Sequence, residues 1–201
     1  MPRKVDHDAR RRAIADALLR LAAARGLESV SLRQVAAAAG ISMGAVQHYF
    51  ATKDEMVGFA MEHQARRREQ RIVARLVAAG RPPTVRELLR VVALEVVPTD
   101  ADSREDYLAG VTFFVRALRE PRMAAVLAEG GTQVNALFAG QLAAAQRDGL
   151  LADGIDVEQE AVLLWSLIDA QSTALLLGAR TPEQVTASVD HFLDRLFGPA
   201  G

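Results

Sequence analysis

The sequence predicts an all-α protein with a small helical module at its N-terminal end and a larger helical body behind it. Apolar residues recur at intervals of three and four along most of the chain, as they do on the buried stripe of a helix. Helix-forming residues such as alanine, leucine, arginine and glutamate dominate the composition, and no segment alternates apolar and polar residues as a strand would. The third observation is a set of N-cap patterns at the starts of the periodic segments.

Nine helices are predicted from this periodicity and from the glycines and prolines that interrupt it. Gly130 and Gly131 are candidates for a kink or a break in the seventh. Four helices begin with Ser/Thr-x-x-Glu/Gln, in which each side chain satisfies a free backbone group; the pairs are Ser31 with Gln34, Thr52 with Glu55, Thr84 with Glu87 and Thr181 with Gln184. The predicted ranges are about 7–25, 32–39, 43–50, 53–79, 84–97, 102–119, 121–147, 157–178 and 182–197.

The charge is distributed unevenly along the chain. Residues 1–75 hold 14 Lys/Arg against 8 Asp/Glu, a net charge of +6, and residues 76–201 hold 10 against 17, a net charge of −7. A basic N-terminal part is suited to a polyanionic partner. The plainer alternative is that these charges only solvate the outer faces of helices.

The composition excludes several classes of protein. The chain has no cysteine, which excludes disulfides and thiolate metal sites and favours an intracellular location. No apolar segment approaches the roughly 20 residues of a transmembrane helix, and the charged start is not followed by the apolar core of a signal peptide. We therefore expect a cytoplasmic protein without a membrane partner.

A helix-turn-helix is predicted at residues 31–50, where two short helices flank a tight turn. Ala36 is the small residue that lets the two helices approach each other, and Gly40 tolerates the left-handed backbone of the turn. The residues at offsets that face inward are Val35, Ala39, Ile41, Val46 and Tyr49. An alanine-rich helical hairpin with no function is the alternative interpretation.

Residues 31–53 resemble the tetracycline-repressor (TetR) family of bacterial regulators. The family signature is an apolar-Ser-x-Gly turn, a His-Tyr-Phe-like triplet and a lysine, and here these are Ile41-Ser42-Met43-Gly44, His48-Tyr49-Phe50 and Lys53. The resemblance extends over about residues 8–60, and residues 43–50 are similar to the branch of choline and betaine regulators. It implies a repressor that binds a palindromic operator as a homodimer and is released by a small-molecule effector.

The resemblance also implies two domains. These are a helix-turn-helix DNA-binding domain at residues 1–51, with a family-type unit at about 8–68, and a helical-bundle domain for ligand binding and dimerisation at 52–201. An effector-independent DNA-binding module is the first alternative, and a helical enzyme whose head merely resembles a regulator is the second. Catalytic residues, cofactors and metal ligands are not expected, and the four histidines lack metal-ligand spacing.

Ten residues are candidate contacts to double-stranded DNA. Hydroxyls at helix N-termini suit phosphate oxygens, and a lysine in a first helical turn is best explained by a nearby phosphate. Outward Gln and His side chains can pair with bases, and small apolar ones can touch a thymine methyl, although an outward Gln or His is often only solvated. The set is Ser31, Arg33, Ser42, Met43, Gly44, Ala45, Gln47, His48, Tyr49 and Lys53.

The body offers weaker candidates. Phe113, Arg116, Trp165 and Asp169 combine aromatic and charged groups that could line an effector pocket, or could equally be core residues and a helix pair. The arginines at 66, 67, 68, 71 and 75 either extend the phosphate-facing surface or form a solvated face. The apolar excess of the last two helices predicts a homodimer interface; its residues are Leu164, Leu167, Leu175, Leu176, Phe192, Leu193 and Leu196.

Overall fold

The computed structural model describes residues 7–198, and over this range nine α-helices and one short 3-10 helix form the fold. The 3-10 helix, Leu27–Ser29, was not predicted. The helices are α1 His7–Arg25, α2 Leu32–Ala38, α3 Met43–Tyr49, α4 Lys53–Ala78, α5 Val85–Val96, α6 Ala101–Ala117, α7 Pro121–Arg147, α8 Val157–Leu176 and α9 Pro182–Phe197. Each helix end lies within two residues of its predicted position. Helix α7 runs through Gly130 and Gly131 without a break.

Local capping explains where most of these helices begin. Reciprocal capping boxes start α2 at Ser31, α5 at Thr84 and α9 at Thr181, as predicted. The predicted box at α4 forms only in part. The Thr52 hydroxyl accepts from the Glu55 amide at 3.0 Å, but the Glu55 carboxylate accepts from the Ala51 amide, 2.8 Å away.

The chain divides into two compact units. The first contains residues 1–69 and 105–119, and the second contains residues 70–104 and 120–201. This division differs from the predicted boundary at 51/52, because α4 and α6 each contribute to both units. In the first unit Met56, Val57 and Ala60 of α4 are buried, so the start of that helix belongs to the core of the helix-turn-helix unit. A functional boundary at 51/52 stays a prediction.

The second unit has a continuous apolar core. Residues from α5, α7, α8 and α9 form it, with Leu89, Phe138, Leu142, Leu164 and Leu193 fully buried. This corrects part of the predicted dimer interface, because Leu164, Leu193 and Leu196 are core residues here. The large apolar side chains that α8 and its C-cap leave exposed are instead Val162, Leu163 and Leu177.

No helix within residues 7–198 is both long and apolar enough to cross a membrane.

Candidate nucleic-acid interface

Helices α2 and α3 form the predicted helix-turn-helix. Gly40 has φ +67°, the left-handed conformation that the turn requires, and the Ile41 amide donates to the Ala36 carbonyl at 3.0 Å. Val35 and Val46 are fully buried between the helices, and Ala36 is 3% exposed. Ala39, Ile41 and Tyr49 are half-buried rather than fully enclosed.

Both helices present capped N-termini. The Ser31 hydroxyl accepts from the Gln34 amide at 3.3 Å, and the Ser42 hydroxyl accepts from the Ala45 amide at 3.1 Å. Capping leaves other first-turn amides of each helix without an intrahelical partner, and the helix dipole adds positive potential there. The N-terminus of α3 lies at the surface, since Ser42, Met43 and Gly44 are all exposed. This arrangement suits a phosphate or a base edge.

The outer face of α3 carries the side chains predicted to read bases. Gln47 and His48 are exposed, Met43 is 43% exposed, and Ala45 is half-buried. A Cβ built on Gly44 would meet only the Ser42 hydroxyl, at 4.0 Å. The protein's own packing therefore does not require glycine at this position, and Arg33 on α2 is also exposed.

Lys53 has a contact that sequence reasoning did not foresee. Its Nζ donates to the Leu27 carbonyl oxygen at 3.2 Å, and the contact is partly buried. The unfavourable position of a cation in the first turn of α4 is thus offset within the first unit. A phosphate is therefore not required to explain this lysine, and a phosphate contact made by Lys53 stays a prediction.

Three rings meet at the C-terminal end of α3. The Tyr49 ring centroid lies 4.8 Å from that of His7 and 5.4 Å from that of His48, and the two imidazole centroids are 6.4 Å apart. His7 is the first residue of α1. Its ring partners lie 41 and 42 positions further along the chain, so periodicity gave no sign of this cluster.

The arginines of α4 form ion pairs. In the first unit Arg66 pairs with Glu62 at 3.3 Å and Arg67 with Asp16 at 3.1 Å. In the second unit Arg71 and Arg75 both pair with Glu95, whose side chain is 0% exposed. Carboxylates of their own unit therefore compensate these cations, which favours a structural role over a DNA-facing one.

Family models match both parts of this architecture. Residues 14–58 match the description "Bacterial regulatory proteins, tetR family", and residues 82–198 match "BetI-type transcriptional repressor, C-terminal". The chain belongs to the TetR family. The second match covers more than half of the chain. As a TetR-family member with an intact helix-turn-helix, the protein is a DNA-binding transcriptional regulator.

Individual relatives agree with this assignment. The chain is 31% identical over 180 residues to the HTH-type transcriptional regulator PksA of Bacillus subtilis, covering 88% of this chain and 83% of PksA. It is 30% identical over 192 residues to the regulator BetI of Brucella anthropi, covering 93% and 92% of the two chains. A transcriptional regulator from Saccharomonospora viridis, solved in complex with choline, shares the fold at a TM-score of 0.81 and 22% identity, covering 93% and 96%.

The four predicted effector residues of this TetR-family protein lie in different units. Phe113 is 1% exposed in the first unit, where Arg116 pairs with Asp54 at 2.6 Å and Glu28 at 3.8 Å. In the second unit Trp165 is half-buried against the apolar core and Asp169 is exposed. The packing and ion pairs of Phe113 and Arg116 have structural explanations, and an effector role for the four residues stays a prediction.

Sequence reasoning missed three polar residues in the second unit. The Asn135 Oδ1, Gln171 Oε1 and Ser172 Oγ atoms are buried and have no hydrogen-bond partner among residues 7–198. Native interiors pair almost all such atoms, so each unpaired one calls for an explanation. A signal was available in the sequence, because Asn135 continues the buried spacing of Phe138 and Leu142 on α7.

Asn135 lies on α7, and Gln171 and Ser172 are sequence neighbours on α8, which packs against α7. The two helices are antiparallel neighbours joined by the short segment 148–156, and they pack against each other. Asn135 precedes the buried residues of α7, whereas Gln171 and Ser172 lie at the C-terminal end of the buried stripe on α8. We call Asn135, Gln171 and Ser172 the polar triad.

Proposed function

We propose that this regulator is a repressor that binds a two-fold-symmetric operator as a homodimer, and that a small polar molecule releases it. The observation that carries the DNA-binding part is the exposed face of α3. Gln47 and His48 lie on this face, and the capped N-terminus of the same helix is at the surface. A helix of this kind fits the major groove, and a symmetric dimer places two of them about 34–36 Å apart. Such a protein acts in the bacterial cytoplasm.

The proposed contacts divide into two classes. The first class positions the helix-turn-helix through DNA phosphates, which carry no sequence information directly. Its members are Ser31, Arg33, Ser42, Tyr49 and Lys53. Met43, Ala45, Gln47 and His48 read base edges, and Gly44 allows close approach to the groove. The ten residues are the ones predicted from the sequence, and nine of them are exposed or half-buried on the α2–α3 segment, with Lys53 at the start of α4.

The polar triad supports an effector that presents hydrogen-bond donors or a positive charge. Two amide oxygens and a hydroxyl are buried without hydrogen-bond partners in the unit that holds the continuous apolar core, and small-molecule sites combine apolar walls with a few such polar groups. Trp165 lies on the same face of α8, about one turn before Ile168 and two turns before Ser172. The choline bound to the Saccharomonospora viridis regulator makes choline the first molecule to test.

Control by abundance or by a partner, without an effector, is a second candidate. This candidate is favoured by two surface pockets of the second unit, because neither of them is a closed cavity that would enclose a ligand. One of about 460 Å³ is lined by Leu167, Ser188 and Phe192 and another of about 500 Å³ by Leu94, Thr99 and Thr186, and both are open to solvent. An effector site among the triad would therefore have to open when the ligand enters.

The DNA-binding part is tested by selecting duplexes from a randomised pool with the wild-type protein. We expect a two-fold-symmetric consensus whose half-sites are about one helical turn or more apart. Fluorescence anisotropy on the selected duplex should show an affinity that falls steeply with salt, by about 0.9 log units per released phosphate contact for each log unit of salt. Selection of no sequence, or binding without salt dependence, would contradict the proposal.

The effector part is tested by titrating choline chloride into the complex with the selected duplex. Sodium chloride at equal ionic strength is the control, because salt alone weakens DNA binding. We expect release by choline in the wild type and a weaker response in Ser172→Ala. Ser166→Ala is the matched variant, because Ser166 is exposed on the same helix. An equal response of both variants would exclude the triad, and no response to any added small organic cation would favour effector-free control.

A further inference from the structure

The ring cluster of His7, His48 and Tyr49 joins α1 to the C-terminal end of α3. Tyr49 is half-buried and contacts both imidazoles, while His7 and His48 are both exposed. The centroid distances of 4.8 Å and 5.4 Å from Tyr49 are those of direct ring packing. The first residue of α1 is thus held beside the side chains that are proposed to meet DNA.

We propose that His7 is a DNA contact contributed by α1, and that it binds a backbone phosphate as an imidazolium beside the base-reading face of α3. The inference rests on the proposal that this face of α3 meets DNA. Histidine gains its charge between about pH 5 and 8, and a phosphate beside it favours the charged form. DNA binding then takes up a proton from the buffer onto the His7 imidazole.

The surroundings of the cluster are compatible with this role. The groups that face His7 from α3 are the His48 imidazole and the Tyr49 phenol. His48 lies in the last turn of α3, where the helix dipole favours a cation. On α1, Asp8 and Arg10 are the nearest charged residues in sequence, and Arg11 is held by Glu55 and by the rings of Phe50 and Phe59.

The test compares His7→Gln and His7→Arg with wild type by fluorescence anisotropy at about pH 6 and about pH 8. The duplex is the one selected by the wild-type protein, at constant ionic strength. A rise of one pKa unit on binding corresponds to about tenfold in affinity, so wild-type affinity should rise by about that factor toward pH 6. Gln should lose most of this rise, and Arg should bind at pH 8 as tightly as wild type does at pH 6.

His191→Gln is the matched control, because His191 is an exposed histidine on α9 in the second unit. It should retain the wild-type pH profile. If His7→Gln and His7→Arg weaken binding equally at both pH values, His7 acts only by packing and the inference is wrong. If neither differs from wild type, His7 does not contact DNA. Failure of the proposed function would appear differently, as an absence of any selected duplex.

Discussion

At the scale of single residues, Gly44 is a position where the fold does not require glycine, whereas the proposed DNA binding does. It is the second residue of α3 and is exposed, and its φ is not in the left-handed region. A side chain there would meet ordinary contact distances inside the chain. Glycine in a helix costs stability relative to alanine, so the residue has no structural benefit that offsets this cost.

Gly44→Ala should therefore raise stability and weaken DNA binding. We expect the free energy of unfolding to increase by up to about 1 kcal/mol, while the added methyl group keeps α3 from its closest approach to the groove. Gly58→Ala, at an exposed position of α4 with open space around it, is the control. It should stabilise the protein without changing operator affinity. Urea unfolding and anisotropy measure the two effects, and undiminished DNA binding by Gly44→Ala would contradict the assignment.

Gln47 should determine sequence preference. It is exposed in the last half of α3, and a glutamine can pair bidentately with adenine. Gln47→Ala should cost about 1–3 kcal/mol on the preferred duplex and much less on duplexes changed at the contacted base pair. Lys53→Ala should instead weaken all duplexes by a similar factor. A uniform loss across duplex variants for Gln47→Ala would place this residue outside base recognition.

At the scale of elements, the capping boxes are where the sequence acts most directly. In the box at α5 the Glu87 carboxylate accepts from the Thr84 amide at 2.8 Å and from Arg81 at 2.5 Å and 3.0 Å. These hydrogen bonds, with that from Arg81 the largest cause, lower the pKa of Glu87 to about 2. The Glu87 side chain is still 40% exposed, so the contribution is modest, but its dependence on pH has a definite sign.

Glu87→Gln should destabilise the protein at neutral pH and less so in acid. Because the folded state lowers this pKa, the wild-type carboxylate adds stability above the pKa of the unfolded chain, about 4.3. That contribution is lost as the pH falls from there toward about 2. The difference in unfolding free energy between wild type and variant should shrink over this window, as measured by urea unfolding. A difference in unfolding free energy that does not change with pH would show that the charge of the Glu87 carboxylate does not contribute to stability.

At the scale of the whole molecule, exposed apolar side chains on α8 are the candidate surface for the proposed homodimer. Leu163 and Leu177 are 44% and 79% exposed. They are separated by about four helical turns, so they lie on one side of α8 and its C-cap. A two-fold axis brings the same surface of each protomer together, and a stripe of this kind is self-complementary.

Leu163→Glu combined with Leu177→Glu should convert a dimer into a folded monomer. Two like charges per protomer would face their copies across the axis, at positions that the core of the second unit does not use. Leu150→Glu, in the exposed turn after α7, should remain dimeric. Light scattering at micromolar concentration and circular dichroism check mass and folding together. A wild-type mass of one chain, or an unchanged dimer in the double variant, would contradict this interface.

The sequence alone determined the helices, their ends and the helix-turn-helix. Each of these depends on groups within a few residues of one another. A helix start depends on a hydroxyl and the amide three residues later, the turn depends on its own glycine, and the buried face of a helix depends on apolar residues every three to four positions. The motif at residues 41–53 is similarly local, so the family could be predicted without a structure.

Only the tertiary structure decided how residues far apart in the sequence pair. It places the Leu27 carbonyl at Lys53, His7 at Tyr49, and Glu95 between Arg71 and Arg75. It also buries the Ser172 hydroxyl and the Asn135 side-chain oxygen without hydrogen-bond partners. Leu193, which was predicted at the dimer interface, is in the core of the second unit. Helical periodicity shows which face of a helix is apolar. It does not show which other helix covers that face, because that depends on packing over long sequence separations.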